Sequence, residues 1–187
     1  MKKILVFILL IFPTCVFASS KDTVTFYKCV DGDTARFILN KKEIKVRFIG
    51  IDAPESAKTN EEPEPYGKES SRYTCNKLKK ANKIIIEYEP KSEKEDRYGR
   101  VLAYVFVDGK LLEESIVKNG YAKVKYIKSN YKYYDKLNSA ELMAINNKKG
   151  IYQDKDYREE EIEKSIVKYI KKYGKKLLSN ILREIFK

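Results

Sequence analysis

Residues 45–55, KVRFIGIDAPE, decide how the rest of the chain is read. Ile44, Val46 and Phe48 alternate with Lys45, Arg47 and Ile49, the two-residue period of a strand that buries one face. Arg47 therefore points away from Val46 and Phe48. Gly50 and Pro54 break the strand, which leaves Asp52 and Glu55 on a turn just past its end, near that arginine. One short segment thus gathers a fixed cation and two carboxylates. Taken alone it is also what a strand with a solvated charged end looks like, so its neighbours decide.

Upstream, Thr23 to Val30 is β-rich, with Val24 and Phe26 alternating against Thr23, Thr25 and Tyr27. Asp31-Gly32-Asp33-Thr34 has the composition of a turn, and Ala35 to Leu39 resumes a strand that returns through Asn40-Lys41 into Ile44–Phe48. This is a three-stranded meander. Downstream, Ser56 to Pro65 is an aperiodic acidic loop. In Tyr66 to Ala81, Ser71, Thr74, Cys75 and Leu78 recur at helical spacing and mark a face laid on the sheet. Ile84 to Glu89 and Arg100 to Val107 are two further strands, Leu111 to Lys118 a short helix stopped by Gly120, and Tyr133 to Ala144 another closed by Gly150. That order, α+β with five strands and about three packed helices, matches the five-stranded Greek-key barrel called the OB-fold.

The composition narrows the chemistry. The chain has 187 residues and no histidine, which excludes every mechanism that needs imidazole as base, nucleophile or metal ligand. Cys29 and Cys75 are too few for a catalytic zinc site, so a resident metal would be a hard one held by oxygen. Met1 to Ala18 has a basic start, an apolar run from Ile4 to Phe12 and a small residue at Ala18; it reads as a secretory signal peptide, and the chain is expected outside the cytoplasm, periplasmic or extracellular. The run is shorter than the roughly 20 residues of a membrane span. Losing Lys2 and Lys3 lowers the formal charge from +12 to about +10, an excess that favours a polyanionic partner, and fifteen tyrosines among the lysines suit base stacking as well as packing.

Asp33 and Asp52 lie on turns at the ends of neighbouring strands, so both carboxylates can face one point at the barrel mouth. With a backbone carbonyl and water they make a low-affinity calcium site; Asp31-Gly32-Asp33-Thr34 by itself also reads as a plain turn. Four stretches then align in order and spacing with one family: Asp31-Gly32-Asp33-Thr34; Arg47 to Glu55; Asp96-Arg97-Tyr98-Gly99-Arg100 with Leu102-Ala103-Tyr104; and Gly120-Tyr121-Ala122-Lys123-Val124. The chain resembles the staphylococcal nuclease (thermonuclease) family from about Thr23 to Tyr152. The resemblance implies that Asp33, Asp52 and the Ala53 carbonyl bind calcium, that Glu55 activates or orients the attacking water, and that Arg47 and Arg100 grip the phosphate. It implies a calcium-dependent nuclease acting on DNA and RNA with little sequence preference and leaving 3′-phosphates. It also places Tyr98 and Tyr126 near the nucleotide, where rim packing is the plainer alternative. Lys128 stands where the family has a second base-side tyrosine.

The alternative function is a non-catalytic OB-fold module that binds nucleic acid, or a DNA-uptake surface protein; retention of Arg47, Asp33, Asp52, Glu55 and Arg100 together favours the enzyme. The domains divide as signal peptide 1–18, nuclease-like domain 19–155 and tail 156–187, in an expected monomer. Cys29 and Cys75, in an oxidising compartment, are expected to form a disulfide, with two buried thiols as the alternative. In the tail, Ile162, Ile166, Ile170, Tyr173, Leu177, Ile181 and Ile185 recur every three or four residues beside Lys168, Lys171, Lys172, Lys175 and Lys176. This is a basic amphipathic helix that either packs on the barrel, holds the protein to an anionic membrane surface, or extends a nucleic-acid track; Gly174 marks an expected bend.

Overall fold

A computed structural model describes residues 20–56 and 62–185; the expected signal peptide lies outside them. Strands β1 (Lys21–Asp31), β2 (Thr34–Leu39) and β3 (Lys42–Phe48) form the antiparallel meander. Asn40 and Lys41 both take left-handed backbone angles (φ 50° and 65°), which matches the strand twist across a two-residue hairpin. β4 (Ile51–Asp52) follows, then helix α1 (Gly67–Lys79), β5 (Ile84–Glu87) and β6 (Val101–Val107). β5 pairs antiparallel with β1 and β6, and β6 runs parallel to β3, so five strands close into a barrel. The chain continues through β7 (Lys110–Leu111), α2 (Leu112–Lys118), β8 (Lys123–Val124), α3 (Tyr134–Asn146), a 3₁₀ turn at Gly150–Gln153 and α4 (Lys155–Ile185). β4 and β8 make a separate two-stranded ribbon. The architecture is the α+β OB-fold barrel.

Alternation fills the barrel. Phe37, Val46, Phe48, Ile86 and Tyr104 are fully buried, each large apolar side chain contributing about 1.5 to 3 kcal/mol over its exposed state. α1 meets the barrel on Gly67, Ser70, Thr74 and Leu78, a face rotated from the expected Ser71, Thr74, Cys75 and Leu78. Two hydroxyls explain the rotation, because each is satisfied inside: Ser70 Oγ donates to the Tyr121 carbonyl and Thr74 Oγ1 to the Gly32 carbonyl, both at 2.7 Å. Cys75, at the edge of that face, is disulfide-bonded to Cys29 of β1 with Cα atoms 5.7 Å apart. The bond encloses a 46-residue separation, a loop length for which unfolded-chain entropy is worth about 4 kcal/mol.

β5 ends at Glu87 rather than Glu89. Glu89 turns its carboxylate inward to accept the Lys91 and Lys132 N–H groups. Glu87, wholly buried, is paired with Lys21 and Lys132.

α4 runs without a break through Gly174. Its first turn is docked: the Tyr152 and Tyr157 rings lie 5.9 Å apart, and Arg158 Nη1 donates to the Tyr152 carbonyl at 3.0 Å. Further along, Ile162, Ile166, Val167, Ile170 and Tyr173 are exposed, so over these residues the stripe is not packed on the barrel. Among the described residues no helix is long and apolar enough to cross a membrane.

Candidate active site

Strand register brings the distant motifs together. Thr34 of β2 lies opposite Arg47 of β3, and Arg47 lies beside Leu102 of β6. Asp33 therefore sits one residue from the arginine's partner, and Arg100 enters just before the seam. The chain turns out of β3 at Gly50, whose φ of 85° is a left-handed value that favours glycine. A Cβ there would also lie 2.8 Å from Leu137 Cδ1 and 2.9 Å from Ile127 Cδ1, so those two side chains would have to shift. Past that turn the β4–β8 ribbon pairs Asp52 with Lys123, which sets Lys125 close to Asp52.

Arg47 is the hub. Its Nη1 lies 2.8 Å from Asp33 Oδ2 and donates to the Ile51 carbonyl at 2.9 Å, while Nη2 donates to Asp52 Oδ1 at 3.0 Å. Asp33 also accepts the Ala53 N–H and the Thr34 hydroxyl, each at 2.9 Å. Burial raises the Asp33 pKa; the Arg47 charge and those two hydrogen bonds pull it back only in part, and the Asp31 charge adds to the rise. The other Asp52 oxygen accepts from Lys125 Nζ at 2.9 Å. That bond, followed by one to Tyr126, raises the Lys125 pKa.

Glu55 is exposed, on a loop whose backbone is held in place. Its N–H donates to Glu64 Oε2 at 3.1 Å, its carbonyl accepts the Glu64 N–H at 3.0 Å, and the next N–H, of Ser56, donates to Asp31 at 3.2 Å. Arg100 is oriented by Asp96, whose Oδ2 accepts from Nε at 2.6 Å. Burial acts to raise the Asp96 pKa, but hydrogen bonds from the Arg100 N–H and guanidinium and from the Tyr98 N–H outweigh it and leave the group below the usual range. Tyr98 and Tyr126 are 67% and 72% exposed, with Arg97 and Lys125 stacked 4.8 and 4.7 Å from their ring centres.

Asp33, Arg47, Asp52, Glu55, Arg100, Tyr98, Tyr126 and Lys128 all line one open cleft of about 890 Å³. Ala53 contributes its N–H to Asp33 and lines a smaller neighbouring cavity of about 380 Å³ instead. Three residues of the site were not assigned from the sequence: Asp31, Asp96 and Lys125. Asp96 had a legible signal, since it stands four residues before Arg100 in a Gly-containing turn.

Among the described residues no three acidic, cysteine or histidine side chains cluster as a metal cage. Asp33 and Asp52 nevertheless aim oxygens at a single cationic group, the Arg47 guanidinium. Two carboxylates of that kind form an all-oxygen donor set, suited to a hard divalent cation that takes its remaining ligands from backbone and water.

Residues 45–154, more than half of the chain, match the family model described as staphylococcal nuclease homologue. The chain is 38% identical to the endonuclease YncB of Bacillus subtilis over 135 residues, which is 72% of this chain and 63% of that protein. It is also 38% identical to the thermonuclease of Staphylococcus hyicus over 134 residues, 72% of this chain and 78% of the relative. A barrel of this topology, a cleft that collects three of the four motifs, and these similarities have one common explanation: the chain belongs to the staphylococcal nuclease family.

Proposed function

We propose that this member of a nuclease family is an exported, calcium-dependent phosphodiesterase that cleaves DNA and RNA with little sequence preference and leaves 3′-phosphate ends. The observation that carries the reading is the convergence of Arg47, Arg100, Asp33, Asp52 and Glu55 on one open cleft rimmed by exposed tyrosines. A phosphodiester gains negative charge on its non-bridging oxygens as water adds. Two guanidiniums aimed there stabilise that charge, and their planar forks can each hold two oxygens. Glu55 accepts the proton of the attacking water as the new P–O bond forms; the P–O5′ bond breaks, and the leaving oxygen takes a proton from solvent. Asp33 and Asp52 would hold calcium, which supplies further positive charge next to the phosphate. Tyr98 and Tyr126 offer flat, cation-backed faces for bases. Export rests on the basic start and apolar run of residues 1–18.

Digestion of a plasmid and of an RNA, each with calcium and with excess chelator, tests the reading. Cleavage of both in calcium and none in chelator is expected, with products that a 3′-phosphatase converts to primers a polymerase can extend. Binding without cleavage would favour the non-catalytic OB-fold module.

A further inference from the structure

The nuclease reading makes no use of α4 beyond its first turns. Ile166 and Ile170 are 54% and 59% exposed, and with Ile162 and Tyr173 they form one stripe. Removing such side chains from water is favourable, so the stripe favours an apolar occupant. The charge of the same segment is one-sided. From Lys164 to Arg183 the sequence carries seven basic residues and no acid. At 100° per residue, Lys164 and Lys171, both exposed, fall on the side of the helix opposite Ile162, Ile166 and Ile170. Apart from Glu184, just after it, the acids of α4 come before this segment, where Glu160 and Glu161 are paired with Lys164 at 2.6 and 2.9 Å.

Three occupants differ in what they require. A nucleic acid would draw on the lysines and leave the isoleucines in water. A second copy would need a seam, yet the apolar residues from Ile162 to Ile185 are mostly four apart, a spacing that drifts around the helix instead of holding the 3.5-residue repeat of a two-stranded coil. Two such helices would also repel. An anionic bilayer takes both halves, with isoleucines entering the acyl boundary, lysines reaching the headgroups and Tyr173 at the interface.

We propose that α4, from Lys164 onward, is an interfacial anchor that lies along an anionic lipid surface. Its partner is a bilayer rich in acidic headgroups, and the helix lies in the interface without crossing it. The anchor is independent of whether the cleft cleaves phosphodiesters.

The test uses the processed chain, residues 19–187, co-sedimented with vesicles of phosphatidylcholine plus phosphatidylglycerol and with vesicles of phosphatidylcholine alone. Partition at least about tenfold stronger onto the anionic vesicles is expected. The double variant Ile166→Asp/Ile170→Asp should lose about tenfold or more of it, with melting temperature and turnover of a short oligonucleotide unchanged. Lys164→Gln/Lys171→Gln, which leaves the stripe intact, should weaken anionic binding and its salt dependence. Equal partition of wild type and the Ile variant would overturn the proposal. So would a stripe variant that loses only its retention on long DNA, which would assign the helix to nucleic acid, or only a concentration-dependent dimer, which would assign it to a second copy.

Discussion

Lys125 Nζ stands 2.9 Å from the Asp52 oxygen that Arg47 does not hold, so both oxygens of one carboxylate are engaged by cations of the same chain. Any metal ion that binds Asp52 must share it with, or displace, that ammonium. Lys125→Ala should therefore tighten calcium binding by about three- to tenfold, a modest gain because the lysine is partly solvated and screened. Titration calorimetry with calcium measures it, and weaker binding in the variant would show that Lys125 assists the site.

Arg47→Gly should do two things at once. The side chain is 12% exposed and bridges two carboxylates, so its loss leaves Asp33 and Asp52 facing each other, at a cost of about 1 to 3 kcal/mol. The cleavage rate should fall by about 10²-fold or more. Calcium should raise the melting temperature of the variant more than that of the wild type, because it restores positive charge between the carboxylates. A wild-type urea midpoint together with a wild-type rate would remove Arg47 from the site.

Glu55→Gln should separate chemistry from folding. Glu55 lies on the surface and its loop is fixed through backbone groups, so the melting temperature should stay constant while kcat falls by about 10²-fold or more. Arg100→Gly should give a comparable loss. Full rates in both variants would overturn the assigned roles.

Glu113 should make stability depend on pH in a particular direction. It is wholly buried in α2; Oε1 accepts the Val105 N–H at 2.9 Å and Oε2 has no hydrogen-bond partner among the described residues. Burial, and less strongly the nearby Glu87 charge, raise its pKa well above 4.5. Below 4.5 both folded and unfolded chains carry the proton. Above it the unfolded chain ionises while the folded one stays neutral, so stability falls as pH rises toward the folded pKa. The stability of Glu113→Gln relative to wild type should therefore increase from about pH 4 to about pH 8, as read by urea midpoints. A constant difference across that range would mean that Glu113 titrates normally.

The meander, the five barrel strands and the nearness of Asp52 to Arg47 and of Asp33 to Asp52 were legible because they rest on apolar runs, strand alternation and turn residues, whereas the direct pairing of Arg47 with Asp33 was not read. Lys125 was not. Its placement depends on β4 and β8, two residues each, too short for any period to register. Glu113 reads as an outward polar residue on a short helix, and nothing in its neighbours announces that β6 will bury it. The face of α1 was placed one residue off because hydrophobicity gives no credit to a serine whose hydroxyl finds a buried carbonyl. In the tail the stripe was plain, whereas its exposure could be learned only from where the barrel ends.

The parallel pairing of β3 with β6 has a bearing on when the cleft is assembled. A growing chain that has emerged only as far as Glu89 already holds Asp33, Arg47, Asp52 and Glu55, but β3 is paired on one side alone, with β2, and Arg100 has yet to be made. Parallel neighbours cannot be joined by a tight turn, so the seam forms only after the intervening helix and β5 have been traversed. Ring closure is thus the step that brings Arg100, one residue before the β6 seam, to the side of the barrel where Arg47, Asp33 and Asp52 already stand.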